Sequence, residues 1–331
     1  MGYRTEKEKI EKSLRKIKVI ALCAVLALVL GICVFSAFYP PAIWKYYVKK
    51  PNVPKRADGE MRIHFLDVGQ GDCTVIELPD GKVALIDAGN ATEQTAEKIL
   101  RYLNALKIKT IDYLVVTHTD TDHCGSMRKV VEQKEVLNAY LPATKPENED
   151  DLYAGLYQAL LEENCAMHYA LHGDISDADA DYTLTFLYPH TNAVEDVDYY
   201  KGESSVLWLD YMGSSAIFMG DESEATENLL MQEDQLGLLD NSPVDLQSTE
   251  ILKVGHHGSA EATSLEFLQH LNVRTAVISC GENNMYGHPA DKVLENLNSV
   301  KAGVLRTDEK GSIIISVKGK DGYGVTSLGR D

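Results

Sequence analysis

The sequence predicts an α/β domain built from two β-sheets and preceded by a membrane helix. The first observation is an uncharged apolar run over residues 19–39. The second is an alternation of short apolar runs with amphipathic segments after residue 60, which is typical of α/β proteins. The third is that three of these runs end in His or Asp, and α/β proteins place their chemistry at the carboxyl ends of strands. We therefore assign one domain with a functional site to residues 61–331.

The first 60 residues are expected to anchor this domain. A helix over 19–39 is long enough to cross a hydrocarbon core of about 30 Å. It is longer than the apolar core of a signal peptide and lacks a small-x-small cleavage site, so we expect an uncleaved, single-pass anchor. Residues 1–18 contain seven Lys and Arg, which predicts a cytoplasmic tail and an extracellular domain, although basic residues at 40–60 compete. Segment 40–60 is predicted to be a stalk.

Charge divides the chain near residue 58. The chain carries 32 Lys and Arg against 50 Asp and Glu, a net charge of −18. Residues 1–58 hold 12 of the basic and 4 of the acidic side chains, which leaves 20 against 46, or −26, for the remainder. Affinity for a nucleic-acid backbone comes chiefly from Lys and Arg. We therefore expect no tight binding of duplex DNA by this domain.

The domain is expected to begin with strands and then to alternate helices with strands. Strands at 61–68, 73–78 and 83–87 are joined by tight turns, and Asp80-Gly81 is a strong hairpin signal. The polar, acidic stretch at 135–200 shows little periodicity. The other predicted elements are helices at 92–106, 150–161, 264–271 and 291–298, strands at 111–116, 251–255 and 276–279, a hairpin at 205–219, and two strands within 312–326.

The segment 117–125 follows the strand at 111–116 and concentrates potential metal ligands. It places two imidazoles and two carboxylates within six residues, at His118, Asp120, Asp122 and His123. Such donors suit divalent metals. Asp is also a common helix cap, so this cluster alone leaves a structural role open.

Two later segments favour the metal site over that structural role. The apolar run before Gly220 ends in Asp221, and the run from Ile251 ends in the paired residues His256 and His257. Gly-Asp by itself is a common turn. Tandem histidines beside glycine are rarely core residues. Three strand ends that each supply His or Asp predict a shared metal site.

The motifs together resemble the metallo-β-lactamase superfamily, and more narrowly the metal-binding domain of ComEC-type competence proteins. The likeness spans roughly residues 61–318. Asp120 stands where the superfamily usually has a second histidine, which resembles the ComEC-like branch. The other matching motifs are Leu66-Asp67-Val68-Gly69-Gln70-Gly71-Asp72, Leu85-Ile86-Asp87-Ala88-Gly89, His256-His257-Gly258-Ser259, Asn284-Met285-Tyr286-Gly287-His288-Pro289 and Arg306-Thr307-Asp308.

The resemblance implies an αββα four-layer sandwich, the metallo-β-lactamase fold, and a location at a bacterial cell membrane. It does not extend to the bundle of membrane helices that forms the DNA channel of ComEC-type proteins. The chain also departs from the family before Ser204, where Asn is often found. We expect Glu203, His190 or water to complete the ligand set there.

The resemblance and the ligand chemistry together imply two divalent metal ions, Mn²⁺ or Zn²⁺. Asp221 is expected to bridge them, and His256 is preferred to His257 as a ligand because it comes first off its strand. The expected metal ligands are His118, Asp120, Asp122, His123, Asp221 and His256. The expected catalytic residues are Asp122, His257 and His288, with His288 as a phosphate donor or general acid. Asp67, Gln70, Asp72 and Asp87 are expected to orient ligands or contact substrate.

These expectations describe a metal-dependent phosphodiesterase or nuclease in which an activated water attacks phosphorus. The expected partners are a phosphodiester, either single-stranded nucleic acid or a component of the cell envelope, and the membrane through residues 19–39. Two other functions stay open. One is hydrolysis of an amide or lactone, and the other is an accessory module for DNA uptake with weak or no catalysis.

Overall fold

A computed structural model describes residues 2–38, 41–144, 151–176, 180–190, 203–239, 244–318 and 322–330. The chain divides into two compact units, Met1–Lys49 and Lys50–Asp331.

The first unit is dominated by one long helix, α1 (Gly2–Phe38), followed by a short 3₁₀ turn at Pro41–Tyr46. The helix continues from the basic tail into the apolar run without a break. Within Lys9–Ala37, an 18-residue stretch reaches a mean hydropathy of 2.9, and among the described residues α1 is the one helix long and apolar enough to cross a membrane. The helix is therefore consistent with membrane anchoring. The last residue of the predicted anchor, Tyr39, lies outside the described part of the chain.

The second unit contains two β-sheets. The first sheet has the strand order β15-β14-β1-β2-β3-β4-β5-β6 and the second has the order β13-β12-β11-β10-β9-β8-β7. In chain order the strands are β1 (Met61–Phe65), β2 (Thr74–Glu77), β3 (Val83–Ile86), β4 (Thr110–Val115), β5 (Glu135–Leu141), β6 (Ala166–Tyr169), β7 (Gly173–Asp174), β8 (Tyr182–Tyr188), β9 (Val206–Tyr211), β10 (Ser214–Phe218), β11 (Thr249–Lys253), β12 (Thr275–Ile278), β13 (Gly303–Arg306), β14 (Ile313–Val317) and β15 (Tyr323–Ser327).

Helices cover the outer faces of the two sheets. Those after β3 to β5 are α2 (Glu93–Ala105), α3 (Thr121–Cys124), α4 (Met127–Val131) and α5 (Leu152–Glu163). Those among the strands of the second sheet are α6 (Glu224–Gln235), α7 (Leu265–His270), α8 (Asp291–Ser299) and α9 (Thr307–Lys310). Polar side chains cap the first turns of α2, α5, α6 and α7; at α2, the side chain of Thr92 accepts a hydrogen bond from the N–H of Thr95.

Two apolar cores define the layers. One lies between the sheets and includes Phe65 and Val115 of the first sheet with Phe186 and Phe218 of the second. The other lies between the second sheet and its helices and includes Trp208. On the far side of the first sheet, α2 buries one apolar face and α5 contacts β5. The predicted αββα sandwich is therefore confirmed.

The carboxyl ends of several strands meet at one edge of the sandwich. Strands β3, β4, β5 and β6 pair in parallel, as do β10, β11, β12 and β13. Parallel neighbours end at the same edge of a sheet. The loops after β10 and β11 therefore leave the same edge of the second sheet, and the loop after β4, in the first sheet, reaches the same place because His123 lies beside Asp221 and His257.

Residues 50–60, which were expected to form a stalk, are hydrogen-bonded to the domain. Arg62 donates to the carbonyl oxygens of Pro54 (2.6 Å) and Lys55 (2.9 Å). Arg56 donates to the carbonyl oxygen of Leu78 at 2.8 Å. Because buried or half-buried Arg groups hold this segment, it belongs to the second unit and is not a free linker.

Candidate metal centre

Four segments deliver side chains to one point at the shared strand edge. Asp72 follows the turn after β1, His123 follows β4, Asp221 follows β10 and His257 follows β11. Each offers one ligand atom, and these four atoms lie within 4.8 Å of one another. Residues far apart in the sequence thus converge on a volume that suits one or two ions.

His123 is fully buried and held from behind by Asp87. Its Nδ1 lies 2.8 Å from Asp87 Oδ2. Asp87 also accepts hydrogen bonds from the backbone N–H (2.9 Å) and hydroxyl (2.7 Å) of Thr117. Since the carboxylate accepts the proton on Nδ1, the lone pair of Nε2 faces the centre, where it lies 3.1 Å from Asp221 Oδ1.

His257 is held in the same way by a backbone carbonyl. Its Nδ1 lies 2.9 Å from the oxygen of Ser279, which can only accept, so Nδ1 carries the proton. Its Nε2 faces Asp122 Oδ2 at 3.3 Å and Asp221 Oδ1 at 3.6 Å. The Nε2 atoms of His123 and His257 lie 3.3 Å apart. Each Nε2 can hold a proton or, once that proton is released, bind a metal ion through its lone pair.

The surrounding carboxylates provide the field for such a charge. Burial lowers the pKa of His257, but the charge of Asp72 and a hydrogen bond to Asp122 outweigh it and raise the pKa to about 9. Burial acts likewise on His123, and the charges of Asp221 and Asp87 raise its pKa well above the usual range. The centre therefore stabilises cations. Two imidazole nitrogens among carboxylate oxygens are donors that divalent transition metals prefer, so the residues fit a metal.

Asp221 divides the centre into two groups of ligands. Its Oδ1 faces the inner group, which we define as Asp122, His123 and His257. Its Oδ2 faces the outer group, which we define as His118, Asp120 and His256. His118 Nε2 lies 3.8 Å from Asp221 Oδ2, and His256 Nε2 lies 3.7 Å from the same atom. His118 Nε2 also lies 3.8 Å from Asp120 Oδ2. Asp221 thus spans both groups, as a bridging ligand must.

The two adjacent histidines are arranged opposite to the sequence expectation. His257 belongs to the cluster of four and is buried, whereas the side chain of His256 is 41% exposed at the rim. Both residues have left-handed backbones, with φ of 45° and 54°. This turn in the chain decides which imidazole faces inward, and the order along the strand does not reveal it. The geometry therefore makes His257 the buried ligand of the inner group and places His256 at the exposed edge of the outer group.

Neither residue proposed to fill the gap before Ser204 reaches the cluster. Glu203 accepts a hydrogen bond from the Tyr188 hydroxyl at 2.6 Å, and His190 pairs with Glu233 at 2.8 Å. Ser204 instead accepts from the backbone N–H of Asp221 at 3.1 Å. It fixes the backbone from which the bridging carboxylate projects. Sequence reasoning missed this role because a serine gives little signal.

His288 lies at the rim, as expected for a residue that contacts substrate. Its ring centroid lies 5.7 Å from that of His256 and 6.5 Å from that of His257. Burial and the charges of His256 and His257 lower its pKa, so it is neutral near pH 7. A neutral imidazole is a hydrogen-bond donor and a weak source of protons. This favours the role of phosphate donor over that of general acid.

A buried lysine behind the centre was not anticipated. Lys253 Nζ lies 2.7 Å from Asp72 Oδ2, and Asp72 Oδ1 lies 3.4 Å from His257 Nδ1. A charged residue within the apolar run 251–254 was the available signal, because buried lysines are nearly always paired. Of the residues expected to orient ligands, Asp72 and Asp87 contact histidines. Asp67 instead pairs with Lys98 at 2.9 Å.

Comparison with known proteins agrees with this geometry. The model of the metallo-β-lactamase superfamily matches residues 66–282. The chain belongs to the metallo-β-lactamase superfamily. Many members are metal-dependent hydrolases that bind divalent metals, and all four residues of the cluster described above lie within the matched segment.

The relatives are competence and recombination proteins, which confirms the ComEC-type resemblance. The chain is 32% identical over 282 residues to ComE operon protein 3 of Bacillus subtilis, covering 80% of this chain and 34% of that protein. It is 28% identical over 259 residues to Recombination protein 2 of Haemophilus influenzae, covering 77% and 29%. It is 28% identical over 301 residues to Competence protein ComA of Neisseria gonorrhoeae, covering 89% and 38%. The chain spans about a third of the length of these relatives.

Among solved structures, the chain is similar to the metallo-β-lactamase fold protein YhfI from Bacillus subtilis. The two share 10% sequence identity with a TM-score of 0.47, over 74% of this chain and 95% of that one.

Proposed function

We propose that this chain is a membrane-anchored, metal-dependent phosphodiesterase whose substrate is single-stranded nucleic acid and whose domain faces outward. One observation carries the proposal. The two oxygens of Asp221 face two groups of His and Asp ligands, and the inner group has both imidazole lone pairs aimed at one point. This is the arrangement that holds a pair of cations a few Å apart.

The residues at the metal centre have different roles in the proposed reaction. Inner and outer groups would hold the cations with Asp221 between them, and a bound pair of Mn²⁺ or Zn²⁺ ions supplies Lewis acidity and an activated water. Asp87 and the Ser279 carbonyl keep the protons of His123 and His257 on Nδ1. His288 donates a hydrogen bond to a phosphate oxygen from the rim. Asp122, whose side chain is 28% exposed, is the carboxylate of the inner group that substrate can approach.

The substrate class rests on the relatives and on charge. Relatives named for competence and recombination support nucleic acid as the substrate. The net charge of −26 beyond residue 58 opposes a long polyanion, so affinity must come from a few local contacts. A single strand offers such contacts through its bases. The basic tail before α1 supports the outward orientation.

The intact ligand cluster disfavours the function of a binding module without catalysis. A vestigial centre has no need for both imidazole tautomers to be fixed by separate partners. Relatives named for recombination and competence likewise disfavour an amide or lactone hydrolase, a choice that the fold alone would not make.

The proposal is tested by comparing substrates with the full chain in detergent micelles. After treatment with EDTA and addition of Mn²⁺ or Zn²⁺, we expect turnover of single-stranded DNA and of bis-p-nitrophenyl phosphate, with a shallow dependence on salt. Duplex DNA should be cleaved more slowly. Turnover of nitrocefin alone would overturn the reaction class, and fast duplex cleavage that falls steeply with salt would refute the charge argument.

A further inference from the structure

The loop between β12 and α8 places two exposed side chains beside the metal centre. Met285 is 88% exposed and Tyr286 is 63% exposed. Exposing large apolar side chains forgoes the free energy of burial. Neighbouring exposed residues beside a site of chemistry are typical of a surface that a ligand covers.

Three rings connect this exposed surface to the metal centre. The Tyr286 ring stacks on that of His288 with centroids 5.7 Å apart and planes inclined by 28°. The His288 ring in turn lies 6.5 Å from that of His257 with planes inclined by 29°. The three rings therefore run from His257, a ligand of the inner group, to Tyr286, which is exposed to solvent. A planar group placed on Tyr286 would therefore extend the same series outward.

The loop that carries Tyr286 is held in shape by its own hydrogen bonds. The Asn284 side chain donates to the carbonyl oxygens of Gly281 (2.9 Å) and His288 (2.6 Å) and accepts from the His288 N–H (2.9 Å). Gly281 also donates to the side chain of Gln70 at 3.1 Å. A loop fixed before binding loses little conformational entropy when a ligand arrives. The exposed ring is therefore a preformed contact surface.

We propose that Tyr286, with Met285 beside it, stacks a nucleobase of the single-stranded substrate whose phosphodiester lies at the metal centre. This inference rests on the proposed function and adds the contact that selects the substrate. Every base presents a π-face, so stacking binds single strands with little dependence on sequence. In a duplex those faces are covered by neighbouring bases. The acidic domain gains little from phosphate contacts, which leaves the bases as the source of affinity.

The test compares two strands that carry equal charge. The full chain in detergent micelles with Mn²⁺ is assayed on a short oligothymidylate and on an abasic strand of the same length. Tyr286→Ala should raise KM for oligothymidylate about tenfold, the size of losing one stacked base. Tyr286→Phe keeps the ring and should stay within about twofold of the wild-type protein. On the abasic strand, KM should already be high and should change little with Tyr286→Ala.

A matched control and a second measurement separate this inference from the proposed function. Met212 is exposed like Met285 but lies in the turn before β10, at the opposite end of that strand from Asp221, so Met212→Ala should match the wild-type protein. Fluorescence anisotropy with labelled oligothymidylate in EDTA should show weaker binding for Tyr286→Ala, without any catalysis.

Four outcomes decide the matter. Equal KM for the two strands in the wild-type protein would overturn the stacking inference while leaving the phosphodiesterase intact, and so would an equal effect of Tyr286→Ala on both. Absence of hydrolysis of either strand would overturn the proposed function, and anisotropy would still test stacking. Preferred hydrolysis of phosphatidylglycerol vesicles that is lost in Tyr286→Ala would assign the surface to lipid and overturn the inference.

Discussion

The inner and outer groups of the metal centre share Asp221 but differ in how their side chains are held. His123 and His257 are buried, and each has its Nδ1 bonded to a fixed acceptor. In the outer group, by contrast, the side chains of Asp120 and His256 are 71% and 41% exposed. The two imidazoles of the inner group are therefore held by the fold, whereas in the outer group only His118 is buried, and Asp120 and His256 lie at the exposed rim. Substitutions should reveal two classes of effect.

The largest effect is expected at the residue the groups share. Asp221→Ala removes a ligand from both and should lower kcat/KM by at least about 10³-fold, with loss of both metal equivalents. Glu203→Ala is the matched control, because Glu203 pairs with Tyr188 instead, and it should change kcat/KM by no more than about threefold. Metal analysis and steady-state kinetics measure both. Equal, mild losses of kcat/KM in the two variants would show that Asp221 does not bridge the two groups.

The next largest effect is expected on metal binding, where substitutions of His257 and His256 should differ. His257→Ala should weaken binding of the first metal equivalent by more than about 100-fold, beyond the loss typical of removing a partner of a ligand. His256→Ala should leave that equivalent nearly unchanged, because its imidazole belongs to the outer group. Isothermal titration of the EDTA-treated protein with Zn²⁺ distinguishes them. A greater loss in His256→Ala would restore the order expected from the sequence.

Lys253 supports the centre from behind and is not itself a ligand, so its removal tests that support. Lys253→Met leaves the Asp72 carboxylate buried without its partner and should lower the free energy of unfolding by about 3–5 kcal/mol. The double variant Lys253→Met with Asp72→Asn removes both charges and should recover most of that loss. Chemical denaturation of the metal-free protein provides the comparison. If the single and double variants unfold alike, the pair does not stabilise the centre.

The smallest effect is expected at the exposed end of the outer group. Asp120→Asn keeps the shape of the side chain but removes its charge, and it should weaken only the second metal equivalent, by about tenfold. The first equivalent should bind as in the wild-type protein. Titration with Mn²⁺ that shows both equivalents weakened alike would mean that the two groups are not independent.

The sequence predicted the meeting of three strand ends because each apolar run ends in His or Asp, and α/β proteins place their chemistry at the carboxyl ends of strands. Asp87 lies behind His123, the kind of position that was expected for it, whereas Asp72 lies within the cluster of four. The choice between His256 and His257 was not predictable, since both sit in left-handed backbone and periodicity carries no information about which ring turns inward. The pairing of Lys253 with Asp72 joins residues 181 positions apart, which no local pattern records.

The region 135–200 shows a different limit on what can be predicted from the sequence. Strand β5 alternates exposed and buried residues, and β6 is mostly exposed, so neither carries the continuous apolar signal of the inner strands. The helix predicted at 150–161 is present as α5 (Leu152–Glu163), where Asp151 caps its first turn; Asp150 lies outside the described residues. Segments that lie at a sheet edge need less hydrophobic sequence, and sequence reasoning detects them less well.

The left-handed backbone at His256 and His257 limits how far selection can stabilise this protein without loss of activity. Such a conformation costs roughly 1–2 kcal/mol at each residue that is not glycine. Selection for thermal tolerance alone would favour Gly or Asn at both positions and would discard the imidazoles. Stability and activity therefore compete at two neighbouring residues, and a more robust variant must gain its stability elsewhere.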